Sequence, residues 1–326
     1  MPKVSIILPT YNGQAYIEEA ITSILNQTFE DFELIAVDDY SIDHTSSLLE
    51  SFRLHDSRIK IITNKQNLKL PASLNIGHRV AQGKYLTWTS DDNILHSNFL
   101  ERLVTVLETS SADVVYSNFN VINDQSEHIR VYKVSPVSLL PFENGIGASF
   151  LYRKEVFQKF NYNEDLHGIE DYDFWVRVAN HFKFEHTSEV LYSYRIHKNS
   201  LTTEIGLNEL AQKKFDENLK VVLSNFVMFR VDTQKLLFQF QRQSHWDWDY
   251  FFSFRKEAES DFEKWIESGE FDISILKNYY NKGLRRFLIN KANRLQVLRL
   301  LFLRPSIISY KYSFRTSLNI LKRIFI

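Results

Sequence analysis

The chain has 326 residues, 44% of them apolar, more than one core usually holds, so a large domain with a smaller C-terminal unit is expected and a disordered chain is excluded. It contains no cysteine, which excludes disulfides, thiolate metal sites and cysteine nucleophiles together; any metal must sit on oxygen or imidazole. The net charge of −1 hides an asymmetry. Twelve basic residues and no acidic one follow Asp272, leaving 27 basic against 40 acidic before it, a net −13.

Only Val4 to Leu8 separate Lys3 from Pro9, too short for the apolar region of a signal peptide, and the segment reads as a buried strand. No uncharged apolar run approaches the roughly 20 residues that span a bilayer. A cytoplasmic protein is expected, with attachment to the inner membrane face left open.

After that strand, Pro9 to Gly13 is turn-rich, and Ala15 to Asn26 shows helical spacing at Ile17, Ala20, Ile21, Ile24 and Leu25. Phe32 to Val37 repeats the strand pattern. The cycle continues with a helix at Ser46 to Leu54, a strand at Ile59 to Thr63, a helix at Pro71 to Ala81 and a strand at Tyr85 to Thr89. Alternation of this kind predicts an α/β fold with an open, doubly wound, mostly parallel sheet. Ligands bind such sheets beyond the carboxyl ends of the strands, which brings Thr10 to Asn12, Asp38 to Asp43 and Ser90 to Asn93 to one rim.

Further on come a helix at Phe99 to Glu108, strands at Val114 to Ser117 and Arg130 to Lys133, a loop from Pro141 to Ser149, a helix starting near Asp171 and a last strand at Val190 to Arg195. From about Gly206 the texture turns helical and aromatic. A catalytic domain over 1–205 and a helical, basic region over 206–326 are expected.

Four segments can carry chemistry. Asp38 and Asp39 close a strand and can accept hydrogen bonds from a base or a ribose, or simply form a turn, while Ser41 or Asp43 caps the following helix. Asp91 and Asp92 are hard oxygen ligands suited to Mg²⁺ or Mn²⁺, or a solvated turn. Glu170 and Asp171 stand in the first turn of a helix, where the dipole favours a carboxylate whatever its role, and either could take a proton from a hydroxyl. In the segment from Tyr194 to Ser200, Arg195 and Lys198 could face phosphate, and neutral His197 could ligate the same metal or be a surface residue. Gly145 and Gly147 lack the context of a dinucleotide fingerprint, and no phosphate-binding loop or metalloprotease helix occurs.

The order and spacing of Val4 to Asn12, Ser23 to Thr28, Asp38-Asp39, Asn75-Ile-Gly77, Gly83-Lys-Tyr85, Asp91-Asp92-Asn93 and Glu170-Asp171 resemble the family-2 glycosyltransferases with the nucleotide-diphospho-sugar transferase (GT-A) fold, SpsA-like subgroup included, over roughly residues 2 to 200. The resemblance implies a nucleotide-sugar donor, UDP-linked by preference, contacted by Pro9, Thr10, Tyr11, Asn12, Asp38, Asp39, Lys69, Asn75, Ser90 and Asp91. The Tyr11 ring would stack on the base, Asp39 would accept its imide N–H, and Asp38 would support that loop. Asp91, Asp92 and His197 would serve a divalent metal, Mn²⁺ or Mg²⁺. Asp171 would be the general base, with Glu170 positioning it.

The chain departs from the family in two places. Thr89 stands where many relatives carry the leading carboxylate of the metal motif, and no arginine precedes Asn75, so Lys69, or Arg79 a turn later, would face the diphosphate. The implied reaction is inverting transfer to a hydroxyl of a glycan or lipid-linked acceptor in cell-surface polysaccharide synthesis. A catalytically silent sugar-nucleotide-binding scaffold is the alternative, and a dinucleotide-dependent oxidoreductase lacks its glycine fingerprint.

In the tail, Leu288, Ala292, Leu295, Leu298 and Phe302 recur at helical spacing, Pro305 interrupts, and Tyr310, Phe314, Leu318, Leu321 and Phe325 resume it. Two amphipathic basic helices are expected, to lie on an anionic membrane or on the acidic catalytic part. Nucleic acid is not expected as a partner, because no reading module accompanies the charge.

Overall fold

A computed structural model describes residues 1–198, 200, 203, 205–206, 208–308 and 313–324; Asn199, Tyr310, Lys311 and Phe325 lie outside the described residues. The chain divides into two compact units, Met1–Val137 with Asn144–Asn218, and Ser138–Glu143 with Leu219–Ile326.

The first unit is built on a nine-stranded sheet. Strands β1 (Val4–Thr10), β2 (Phe32–Asp38), β3 (Ile59–Thr63) and β4 (Tyr85–Trp88) run parallel in the order β3-β2-β1-β4. Every residue of β1 and β2 is buried, because helices cover both faces, and this is why these strands read as unbroken apolar runs. The crossovers are α1 (Ile17–Leu25), α2 (Thr45–His55) and α3 (Leu70–Val80). Their ends, and those of their strands, lie within two residues of the sequence expectation.

Beyond β4 the sheet becomes mixed. After β5 (Ile94–Leu95) and α4 (Phe99–Thr109), β6 (Val114–Ile122) runs five residues past its expected end and pairs with β7 (His128–Tyr132). The short strand β8 (Phe150–Arg153) inserts antiparallel between β4 and β6. The chain continues through α5 (Lys154–Lys159) and α6 (Glu170–Ala179) to β9 (Phe184–Arg195), parallel to β6 and antiparallel to β5. The order is β3-β2-β1-β4-β8-β6-β9-β5. Strands β5 and β8 have two and four residues, too short to show a period in the sequence.

The second unit contains the end of α7 (Glu209–Ser224), then α8 (Val231–Gln241), α9 (Trp248–Ser268), α10 (Ile273–Lys291), α11 (Arg294–Leu303) and α12 (Phe314–Lys322). Aromatic rings fill its core, with Phe142 5.1 Å from both Phe240 and Phe262, and Phe226 edge-on to Trp265. The expected continuous stripe from Leu288 to Phe302 is divided between two helices. Asn293 accepts from the Gln296 backbone N–H while the Gln296 side chain accepts from the Asn293 N–H, a capping box that ends one helix and starts the next.

Candidate functional site

The carboxyl ends of β1, β2 and β4 form a rim, and its backbone is strained there. Asn12, Tyr40 and Lys69 take positive φ of 55°, 71° and 73°, conformations that side chains other than glycine adopt only when the surroundings impose them. The cause at Lys69 is visible. Asp39 Oδ2 accepts the Lys69 backbone N–H at 2.8 Å, while Oδ1 accepts from Leu68 N and from Asn64 Nδ2, also at 2.8 Å. Asp39 thus folds the 64–69 loop over the strand end and keeps one Oδ2 lone pair uncommitted.

Asp38 is fully buried and turned inward, accepting from Ser41 N at 2.9 Å and from Ser46 Oγ, so it secures the start of α2. Asp43 accepts the Thr45 N–H at 3.0 Å from one residue before the N-cap position, which His44 occupies. Across the rim, Asn12 and the 41–42 turn exchange hydrogen bonds, Asn12 N donating to Ser41 Oγ and Ile42 N to Asn12 Oδ1, both at 2.9 Å. Pro9 is buried inside β1, whereas the Tyr11 ring is 48% exposed.

Thr10 Oγ1 donates to Asp91 Oδ2, tying β1 to the turn after β4. Burial, and after it the neighbouring charge of Asp92, pushes the Asp91 carboxyl up to about 7. Gly13 lies beneath this pair, and a Cβ there would lie 2.1 Å from Asp91 Oδ2 and 2.6 Å from Thr10 Oγ1, so one of these side chains would have to shift.

Asp92 turns toward β9. Its Oδ2 lies 3.0 Å from His197 Nε2, and its Oδ1 is buried with no hydrogen-bond partner. Among the described residues no group of three acidic, histidine or cysteine side chains gathers around one point, so a metal here would draw on two protein side chains. Thr89, in place of a further carboxylate, makes a buried 2.7 Å hydrogen bond with Tyr192 OH.

A cavity of about 480 Å³ opens beside Asp92 and Ser90 and reaches Asn144, Glu170 and Asp171. Three segments distant in sequence therefore face one space. Asn144 Nδ2 donates to Asp171 Oδ2 at 2.8 Å, and the Tyr172 N–H lies 2.7 Å from Oδ1. Glu170 accepts the Gly168 N–H at 2.7 Å, a contact made possible by the positive φ of Gly168, 86°. Burial first, then the Asp171 charge, pushes Glu170 up to about 8; burial raises Asp171 as well, against the opposing hydrogen bond from Asn144.

Arg195, which could face phosphate, is fully buried, paired with Glu19, and donates to Asp92 O at 2.7 Å and Ser126 Oγ at 2.9 Å, with its guanidinium 4.6 Å from the Tyr16 ring. A guanidinium with so many acceptors in place holds the Asp92 turn rather than a ligand. Asn75 is also buried, donating to Tyr162 O and Glu164 Oε1 and accepting the Tyr162 N–H, all at 2.9 Å. Lys69 and Lys198 present exposed side chains. Sequence reading missed Asn144, Gly13 and Glu19; only Gly13, inside a turn before a helix, left a readable signal.

The α/β fold places acidic residues at the strand ends and around one cavity, and comparison with known proteins identifies the family. The model described as Glycosyl transferase family 2 matches residues 5–187. A Haemophilus influenzae protein called an uncharacterized glycosyltransferase is 34% identical over 68% of this chain and 75% of its own. The uncharacterized glycosyltransferase EpsJ of Bacillus subtilis is 31% identical over 67% and 69%. Among solved structures, S. aureus TarS 1–349 in complex with UDP-GlcNAc superposes with a TM-score of 0.62 at 16% identity, covering 95% of this chain and 89% of that one; for a TarS structure of greater length the share of that chain is 50%. The chain belongs to glycosyltransferase family 2.

Proposed function

We propose that residues 1–205 form a catalytic domain that transfers a sugar, with inversion, from a UDP-linked donor to a hydroxyl of a glycan or lipid-linked acceptor in cell-surface polysaccharide synthesis at the cytoplasmic face of the membrane. The observation that carries this reading is the sharing of one cavity by Asp92, Asn144, Glu170 and Asp171.

In this reading the Tyr11 ring stacks on the base, and the uncommitted lone pair of Asp39 Oδ2 accepts the imide N–H. Asp91 and Ser90 hold the ribose, and Lys69 meets the diphosphate. Uridine is favoured because the TarS fragment, alike in fold, was crystallised with UDP-GlcNAc.

The orphaned Asp92 Oδ1 and the imidazole beside Oδ2 suit a hard divalent cation completed by phosphate oxygens and water. Mn²⁺ or Mg²⁺ held there would supply Lewis-acid neutralisation of the departing diphosphate. Glu170, pushed up to about 8, stays protonated near neutral pH, and Asp171 is the carboxylate left to take the acceptor's proton. Asn144 fixes the direction of its lone pairs. With Asp171 as the base, displacement is direct, since retention by double displacement needs a carboxylate nucleophile on the opposite face of the sugar.

Hydrolysis of UDP-, GDP- and dTDP-sugars with and without Mn²⁺ tests the donor assignment, with turnover of a UDP-sugar expected. Binding of UDP-sugars without turnover under any metal would support a silent scaffold instead. Retained anomeric configuration in the product, read by NMR, would overturn the mechanism.

A further inference from the structure

We infer that the outward faces of α11 and α12 form a surface for an anionic lipid bilayer, with the helices lying in the plane of the headgroups. In α11, Val297 and Leu300 are buried on one face. Leu295, Leu298 and Phe302, spaced i, i+3 and i+7 on the opposite face, are 75%, 40% and 87% exposed. A helix apolar on both faces has a second apolar environment to meet, because a single core explains only one stripe. In α12, Ser317 and Ile320 turn inward, while Phe314, 80% exposed, and Leu318 share an outward arc with Arg315 and Lys322.

The cations sort the same way. Arg285 donates to Ser313 O and Ser317 Oγ at 3.0 Å, Arg304 pairs with Glu259 at 2.6 Å, and Arg323 donates to Ala292 O at 2.8 Å; these build the unit. Lys291, Arg294, Arg315 and Lys322 are exposed, and none forms an ion pair among the described residues. No carboxylate follows Asp272 to neutralise them. Exposed leucine and phenylalanine beside unpaired cations match an anionic bilayer in both respects, the apolar groups entering the acyl boundary and the cations resting on headgroups. Nucleic acid would answer the charge and leave the leucines unanswered, and the same face of a second copy would bring like charge against like. Among the described residues no helix is long and apolar enough to cross a membrane, so contact in the plane is the geometry available.

Flotation of the full chain with vesicles of phosphatidylcholine, with or without phosphatidylglycerol, tests this. The chain is expected to float with the anionic vesicles at low salt, to stay behind with the zwitterionic ones, and to be released by high salt. Phe302→Ser combined with Phe314→Ser should lower the bound fraction several-fold. Arg294→Gln, Arg315→Gln and Lys322→Gln should each lower the partition coefficient roughly five-fold. These side chains are exposed, so thermal midpoint and donor hydrolysis should stay at wild-type values, which separates lost attachment from lost folding or failed chemistry. Failure of the wild type to float, equal flotation with both vesicle types, or a dimer that the Phe302→Ser, Phe314→Ser variant dissolves would each overturn the inference.

Discussion

Asn144 Nδ2 donates to Asp171 Oδ2 at 2.8 Å, and that bond opposes the burial that raises the Asp171 carboxyl. Removing it should raise Asp171 further, because a donor to a carboxylate favours the charged form. Asn144→Ala is therefore expected to move the acid limb of the kcat/KM profile to higher pH while activity well above that limb stays within about ten-fold of wild type. Asp171→Asn should lower turnover by roughly 10² to 10⁴ with donor affinity retained. An unmoved limb in the first variant, or near-normal turnover in the second, would remove Asp171 from the mechanism.

Glu170 makes a prediction about stability. Its ordinary value is 4.5 and the fold pushes it up to about 8. A carboxyl raised on folding contributes its stability in full below the unfolded value, and the contribution is lost as pH rises through the folded one. Glu170→Gln cannot ionise, so its thermal midpoint relative to wild type should climb from about pH 4.5 to about pH 8 and then level off. Parallel midpoint curves for the two proteins would show that Glu170 is ionised throughout.

His197 and Asp92 give a metal prediction separable from the base. Loss of an outer-shell partner typically weakens a metal by roughly 10- to 100-fold, and loss of a ligand should cost at least that. His197→Ala should thus raise the Mn²⁺ concentration for half-maximal donor hydrolysis by at least that factor, and excess Mn²⁺ should restore the rate. Full activity of wild type after exhaustive chelation would count against any metal at Asp92.

Arg195 separates a structural cation from a phosphate-binding one. Losing its pair with the half-exposed Glu19 and orphaning Asp92 O should destabilise by roughly 2 kcal/mol, a midpoint drop of about 4–8 °C in Arg195→Ala. Arg195→Lys should recover only part of this, since an ammonium cannot reach acceptors spread over Glu19, Asn123 and Ser126 in a planar fork. A variant of normal stability with a raised donor KM would return Arg195 to the ligand.

The parallel half of the fold was legible because β1, β2 and β3 announce themselves as apolar runs alternating with helices of clear period. The antiparallel insertion of β8 was not, since a four-residue strand next to a six-residue helix has no period to read. Within the site, the acidic strand ends could be found from sequence and their functions could not. Asp38 and Asp39 look alike in the chain, yet one is sealed behind Ser41 and Ser46 while the other clamps a loop at the rim. The hydrogen bonds of Arg195 and Asn75 could not be read either, because a polar side chain is equally a ligand contact or an internal strut until its acceptors are known. Asn144 carries no local pattern at all, and only tertiary contact joins it to a residue 27 positions away.

Gly13 supplies a test of how tightly the rim is packed, free of any change in charge. A Cβ at this position would meet Asp91 Oδ2 at 2.1 Å and Thr10 Oγ1 at 2.6 Å, closer than real Cβ atoms come to anything, and Asp91 belongs to a short turn anchored by β4. Relief by rotation of the Asp91 side chain would break its hydrogen bond from Thr10 and move the carboxylate from its place at the rim. A displacement of about 1 Å in a positioned group commonly costs on the order of 100-fold in rate. Gly13→Ala is accordingly expected to lose donor binding and hydrolysis together. Gly206→Ala is the control, because among the described residues nothing lies within 4 Å of the added carbon. Isothermal titration of UDP against both variants decides the matter: wild-type affinity in Gly13→Ala would mean that the Thr10 and Asp91 contact is not part of the donor site.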